Sequence, residues 1–204
     1  GLYGVVEADL TATTTVHASY LYQRDRQRVH LGVPFAADGS DIGLDPSSYF
    51  GSAKGMLYKG LTVQTAGIEQ RLPGDWRLTA SVSHGVTRLR DYHSSWLYGD
   101  LDRVTGDGLA LYQSLGLMRE ARFDAIDASV TGPVTAFGRR HDLVVGLNGT
   151  RMRDAHQGAG YVPTDINVYG FDPTTLPDPV PGQAYSGSAR TRQHGLFGVA
   201  RLNL

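Results

Sequence analysis

Polar and apolar residues alternate along this chain with a period of two, over stretches longer than an ordinary strand. The clearest stretch is 61–87. Trp76, Leu78, Ala80, Val82 and Val86 fall on one face, and Arg77, Thr79, Ser81, Ser83 and Thr87 on the other, with His84 interrupting the apolar face. Period two is the signature of a strand. Pro73-Gly74-Asp75 forms a minimal turn between this run and an equally extended one before it, 61–72. A strand in a soluble sheet has about five or six residues. These runs are nearer the roughly ten tilted residues that a barrel strand needs to cross a bilayer. Trp76 sits where the apolar face begins, beside the turn, as an interfacial aromatic does.

The same reading predicts strands at 2–10, 14–24, 61–72, 76–87, 122–131, 141–151 and 191–204, seven in all. The turns between paired strands are Thr11-Ala12-Thr13, Pro73-Gly74-Asp75 and a stretch from Gly132-Pro133 to Arg139-Arg140. Long irregular segments separate the pairs, at about 25–57, 90–110 and 155–190. All nine prolines fall in segments read as turns or loops, as expected for a residue without a ladder donor. No segment carries a sustained helical stripe, although Tyr112 to Arg119 has room for one helical turn. Connections therefore alternate short and long, as in outer-membrane barrels with short periplasmic turns and long external loops. Seven strands is an odd number, and the chain opens and closes on strand-like sequence. It therefore reads as an internal piece of a larger barrel, spanning 1–204, rather than a closed one.

Composition narrows the chemistry. The 204 residues carry a formal charge of −1, which argues against a nucleic-acid partner. Cysteine is absent, so disulfides and thiolate metal sites are excluded. No apolar run is long enough for a helical span, a fact that leaves a β-barrel open. No Gly-x-Ser-x-Gly elbow, phosphate-binding loop or dinucleotide fingerprint occurs, so the expectation is a protein that is not an enzyme.

Four stretches carry a resemblance. Tyr3-Gly4-Val5-Val6-Glu7-Ala8-Asp9-Leu10-Thr11 is followed by Thr13-Thr14. Gln70-Arg71-Leu72 precedes Gly74-Asp75-Trp76-Arg77-Leu78. The third is 138–146, from Gly138-Arg139-Arg140 to Val145-Gly146, and the fourth is 193–202, from Gln193-His194 to Arg201-Leu202. Together they resemble TonB-dependent ferric-siderophore receptors, and most of all the subgroup for hydroxamate-type siderophores such as pyoverdine. The resemblance implies an all-β antiparallel meander belonging to an outer-membrane barrel of about 22 strands. It also implies import of a ferric siderophore with energy from TonB. The plug and TonB box of such receptors are absent from 1–204, so TonB would act through an N-terminal region outside it. Outer-membrane lipid is the other implied partner, and edge strands are a route to self-association. Two alternatives stay open: a passive porin-like or adhesive outer-membrane barrel, and a soluble β-sandwich binding module.

A ferric siderophore shields its iron with its own oxygens, so a receptor needs shape, aromatic stacking and a few polar groups rather than metal ligands or a cofactor. The candidates are the loop aromatics Tyr49, Phe50, Tyr58, Tyr92, Trp96 and Tyr98, joined by Arg88 and Arg90 if they point into the lumen. Tyr161, Tyr169 and Tyr185 rank lower. His141 and His156 are read as strand-face residues rather than metal ligands, since no histidine pair has zinc spacing. The acidic residues of the loops, among them Asp38, Asp41, Asp45 and Asp102, lack an EF-hand pattern and read as turn chemistry.

Overall fold

The structure is a computed structural model and describes residues 1–31, 34–113, 116–159, 163–176 and 183–202. In chain order the strands are β1 (Leu2–Thr11), β2 (Thr14–Gln27), β3 (His30–Leu31), β4 (Met56–Leu72), β5 (Trp76–Tyr92), β6 (Ser95–Gly99), β7 (Leu109–Gln113), β8 (Leu117–Ala136), β9 (Arg139–Ala159), β10 (Thr164–Ile166) and β11 (Ala184–Arg201). Seven of them form one antiparallel sheet in the order β1-β2-β4-β5-β8-β9-β11. The other four make a small sheet, β10-β7-β6-β3, out of the long connections. The expected all-β meander of seven long strands is therefore the observed one.

The strands run further than alternation indicates. β4 and β5 have 17 residues each, β8 has 20 and β9 has 21. The apolar face ends near Val86, but the backbone ladder continues through Arg88 and Arg90 to Met56 opposite Tyr92. A change in face chemistry ends the sequence pattern without ending the hydrogen bonding.

Two expectations are corrected. Pro133 is not in a turn but in β8, opposite Asp142 of β9. The ladder to β5 ends at Arg77 opposite Thr131, so Pro133 stands at a free edge on that side, where a missing donor costs little. The true turn is Phe137-Gly138, both at positive φ (52° and 71°), a pair of dihedrals that fits a two-residue hairpin. Tyr112 to Arg119 holds no helical turn among the described residues: Tyr112 lies in β7 and Leu117–Arg119 in β8. Residues 114–115, 203–204 and the prolines at 177, 179 and 181 lie outside the described residues.

Register divides the sheet into two faces. Val16, Ile68, Ala80, Ala128, Leu147 and Leu196 stand directly opposite one another on successive strands. The next row toward the loops is Ala18, Ala66, Val82, Ile126, Gly149 and His194. The other face at this level carries Glu69, Thr79 and Ser129, then Ser81, Asp127 and Asn148. Apolar rows against polar rows is the arrangement of a barrel wall with lipid outside and a wet lumen inside. Each face uses glycine to seat an aromatic ring from the neighbouring strand. Trp76 lies over Gly132 on the apolar face and Phe123 over Gly85 on the polar one, and a Cβ at either glycine would collide with the ring.

The dry core is in the loop layer, not the wall. Phe50, Leu101, Leu109, Leu111, Ile166 and Val168 are buried together, with Ile42, Leu44, Leu97, Phe171 and Leu176 packed against them. β5 turns into β6 at His93, whose φ is +57°. Next to the bend Leu57 and Asp91, opposite one another on the polar face, are buried.

Candidate functional site

The small sheet has two unlike faces. Ser95, Leu109, Leu111 and Gln113 are buried, and Leu97 packs against the core. Strand alternation puts Trp96, Tyr98, Ala110 and Tyr112 on the opposite face. There Trp96 and Tyr112, directly opposite in register, stack with ring centroids 5.5 Å apart and planes 4° from parallel. Tyr98 meets Tyr112 edge-on at 6.3 Å and is 71% exposed. Trp96 and Tyr112 lie parallel and Tyr98 stands edge-on against them, so the three rings make a stepped aromatic plate carrying two tyrosine hydroxyls. Such a plate binds a planar or bulky ligand by stacking and leaves hydrogen-bonding groups at the edge.

Of the eight residues expected from sequence, only Trp96 and Tyr98 are brought together on this plate. Tyr112, its centre, was missed because it lay in the stretch considered for a helical turn. The alternation of Leu109, Leu111 and Gln113 with Ala110 and Tyr112 was the available signal. Phe50 is 4% exposed and packs against Phe171 at 5.4 Å, so it is a core residue of the loop layer. Tyr49 donates its hydroxyl to the Ser52 carbonyl at 3.3 Å, and burial raises its phenol pKa.

The remaining four sit elsewhere. Tyr58, Arg88, Arg90 and Tyr92 share the face that carries Trp76, Leu78 and Val82. Arg88 and Arg90 therefore share a face with the apolar rows rather than with Thr79, Ser81 and Asp127. Arg88 donates to Glu120 at 2.8 Å. Tyr58 contacts Tyr92 edge-on at 6.3 Å, with the Arg26 guanidinium 5.6 Å from the Tyr58 ring centre. Of the lower-ranked tyrosines, Tyr161 lies outside the described residues. Tyr169 fastens one loop to another by donating to the Arg103 carbonyl at 2.6 Å, beside Asn167, which donates to the Thr105 carbonyl at 2.7 Å and to Asp107 at 2.8 Å.

The loop carboxylates act as staples. Asp102 accepts the Val104 and Thr105 amides at 2.7 and 3.1 Å, and these bonds lower its pKa. Asp38, Asp45 and Asp172 do the same with Ser40, Ser47 and Thr174, whose hydroxyl and amide bonds lower their pKa values. Among the described residues no three His, Asp or Glu side chains gather as a metal site. His141 is buried, with Nε2 3.0 Å from the Ala136 carbonyl.

No model of a known protein family matches the chain. The chain is 30% identical over 211 residues to a ferric-pyoverdine 358 receptor of Pseudomonas putida, a match covering all of this chain and 25% of that receptor. It is 25% identical over 214 residues to the ferric-pyoverdine M114 receptor PbuA of Pseudomonas sp. strain M114, covering 99% of this chain and 25% of that protein. The chain thus spans about a quarter of the length of these relatives. Among solved structures, it superimposes on the pyoverdine outer-membrane receptor FpvA of Pseudomonas aeruginosa with a TM-score of 0.83 at 19% identity, over 99% of this chain and 30% of that one. The ferric-catecholate import receptor Fiu of Escherichia coli gives 0.77 at 12% identity, over 97% and 33%. Over its whole length the chain thus matches a segment of ferric-siderophore receptors of the outer membrane. The seven-stranded sheet matches the barrel walls of these receptors. The named relatives are receptors rather than enzymes.

Proposed function

We propose that the segment is part of a receptor that captures a ferric siderophore of the pyoverdine kind outside the cell and imports it with energy from TonB. The match of the whole chain to ferric-pyoverdine receptors supports the ligand class. The observation that carries the site is the ring plate of Trp96, Tyr98 and Tyr112 on the small loop sheet. A chelate that supplies all its iron ligands offers a receptor only its outer surface, and stacked rings fit that surface without competing for the metal. The iron is cargo here, and no cofactor enters the scheme. In this reading the long connections lie outside the cell and Pro73–Asp75 and Phe137-Gly138 at the periplasm. TonB would act through a plug and box outside the residues of this chain.

Trp96→Ala in the complete receptor weakens ferric-pyoverdine binding roughly 3–10-fold, the value of one aromatic pair of about 0.5–1.5 kcal/mol. Trp96→Phe retains most of the affinity, because a ring still covers Tyr112. A fluorescence-quench titration reads both. Equal affinity for the Ala variant and the unaltered receptor removes the plate from the site.

A further inference from the structure

The polar face of the wall carries an arginine near the loops that the sequence pattern did not single out. Arg119 of β8 stands between Leu89 of β5 and His156 of β9, and the row continues to Gly187 of β11. The rows on either side bring Asp154, opposite Ala121 and Ala189, and Tyr185, opposite Gly158. Strand alternation puts Arg119, Asp154, His156 and Tyr185 on the face of Thr79, Ser81 and Asp127, opposite to the face of Arg88 and Arg90.

Asp154 organises this cluster. Its side chain is 9% exposed, and its Oδ2 accepts from Nε of Arg119 at 2.7 Å. Its Oδ1 lies 3.6 Å from Nδ1 of His156. One buried carboxylate thus orients a guanidinium and an imidazole together. Arg119 spends only Nε on this bond and is 55% exposed. Its terminal N–H donors have no partner among the described residues. Two glycines clear the ground beside them. A Cβ at Gly187 would lie 2.8 Å from Nε2 of His156, and one at Gly158 would lie 2.7 Å from the Tyr185 hydroxyl. Each ring therefore lies across the neighbouring strand, and the two centroids are 6.4 Å apart. The result is a shallow seat: a floor of two rings beside a guanidinium held from below.

We propose that this seat takes a carboxylate of the ferric siderophore, as a second contact apart from the ring plate. The proposal rests on the siderophore reading above. A carboxylate presents two oxygens to the parallel N–H groups of a guanidinium, and a guanidinium already fixed at Nε has less freedom to lose on binding. The groups that chelate iron are spent on the metal, so acidic groups outside the chelate are the ones left to meet the wall. Leu89, opposite Arg119, is joined to Trp96 of the plate by a stretch that fully extended reaches about 25 Å, and the bend at His93 shortens it. Plate and seat are thus within reach of one extended ligand. The receptor then selects for siderophores that carry a free carboxylate.

The test uses the complete receptor and two probes, ferric pyoverdine and the same chelate with its carboxylates outside the iron shell converted to amides. A fluorescence-quench titration reads both. The unaltered receptor binds the amidated chelate roughly tenfold or more weakly, the worth of a hydrogen bond to a charged group. Arg119→Gln loses the same factor for ferric pyoverdine and nothing further for the amidated chelate. The double variant Arg119→Gln/Asp154→Asn leaves no unpaired buried charge and gives the same result if the single variant does not assemble. Arg153→Gln, next to Asp154 in sequence and so on the other face, changes nothing. Trp96→Ala weakens both probes alike, because the plate does not read the carboxylate. Equal affinity of the unaltered receptor for the two probes, or an Arg119→Gln loss that is the same for both, overturns the seat and leaves the plate standing. Failure of the unaltered receptor to bind ferric pyoverdine at all overturns the reading on which both rest.

Discussion

Asp102 illustrates what single residues do in the loop layer. Its carboxylate is exposed, yet two backbone amides hold it, and its pKa falls below the ordinary 3.8. A carboxylate depressed in the folded state contributes fully above its unfolded pKa and loses that contribution as pH falls through the lower folded value. The turn at Val104 and Thr105 is therefore firm at neutral pH and loosens only in strong acid. In the labelled receptor the Val104 amide resonance titrates with a midpoint below 3.8; a midpoint at or above it means that these bonds do not hold the carboxylate. The sequence already marked such residues as turn formers rather than calcium ligands, because short-range Asx chemistry depends on neighbours in the chain. The facing of Arg88 and Arg90 was open only conditionally. Counting by twos from Trp76 puts both on its face, but the count is secure only once the strand is known to continue without a bulge past His84.

At the scale of elements, long strands were legible and short ones were not. Seven wall strands announce themselves because each must present an apolar face to lipid over many residues. β3 and β10 have two and three residues, and β6 and β7 five each. Their existence depends on partners far along the chain, such as Thr164 opposite Leu111, and no local periodicity records that. One of the three rings, Tyr112, was missed because its short strand lay in a stretch with room for a helical turn. The β8–β9 turn was also hidden, since Gly132-Pro133 is a stronger turn signal than Phe137-Gly138. The hairpin's dihedrals make a specific demand at Gly138, whose φ is +71°. Gly138→Val places a β-branched residue in the left-handed region and costs about 1–2 kcal/mol. The urea midpoint for refolding into micelles drops accordingly; an unchanged midpoint shows that the turn adjusts without strain.

At the scale of the molecule, the wall has no core of its own. Leu196 is 87% exposed and Val6 70%, on strands at opposite ends of the sheet. In a closed barrel, lipid covers the apolar face of such a wall and every strand edge is paired, whereas an open edge invites pairing with another chain. This is why the fold class was readable while the site was only partly so. The membrane imposes a uniform rule on every wall strand, and the loops answer only to one another.

The length of the hairpin also makes the receptor a ruler. At about 3.3 Å per residue, the 21 residues of β9 extend roughly 70 Å. Tilted by about 40°, they stand roughly 54 Å high, against an apolar band of about 25 Å. About half of the strand therefore projects beyond the hydrocarbon, and the ring plate is held well clear of the acyl chains. The two ends of the ruler are addressable separately, because the chain contains no cysteine and both Val104 and Phe137 are exposed, at 89% and 100%. On intact cells a membrane-impermeant maleimide labels Val104→Cys and leaves Phe137→Cys untouched until the envelope is opened. The reverse pattern would turn the barrel upside down.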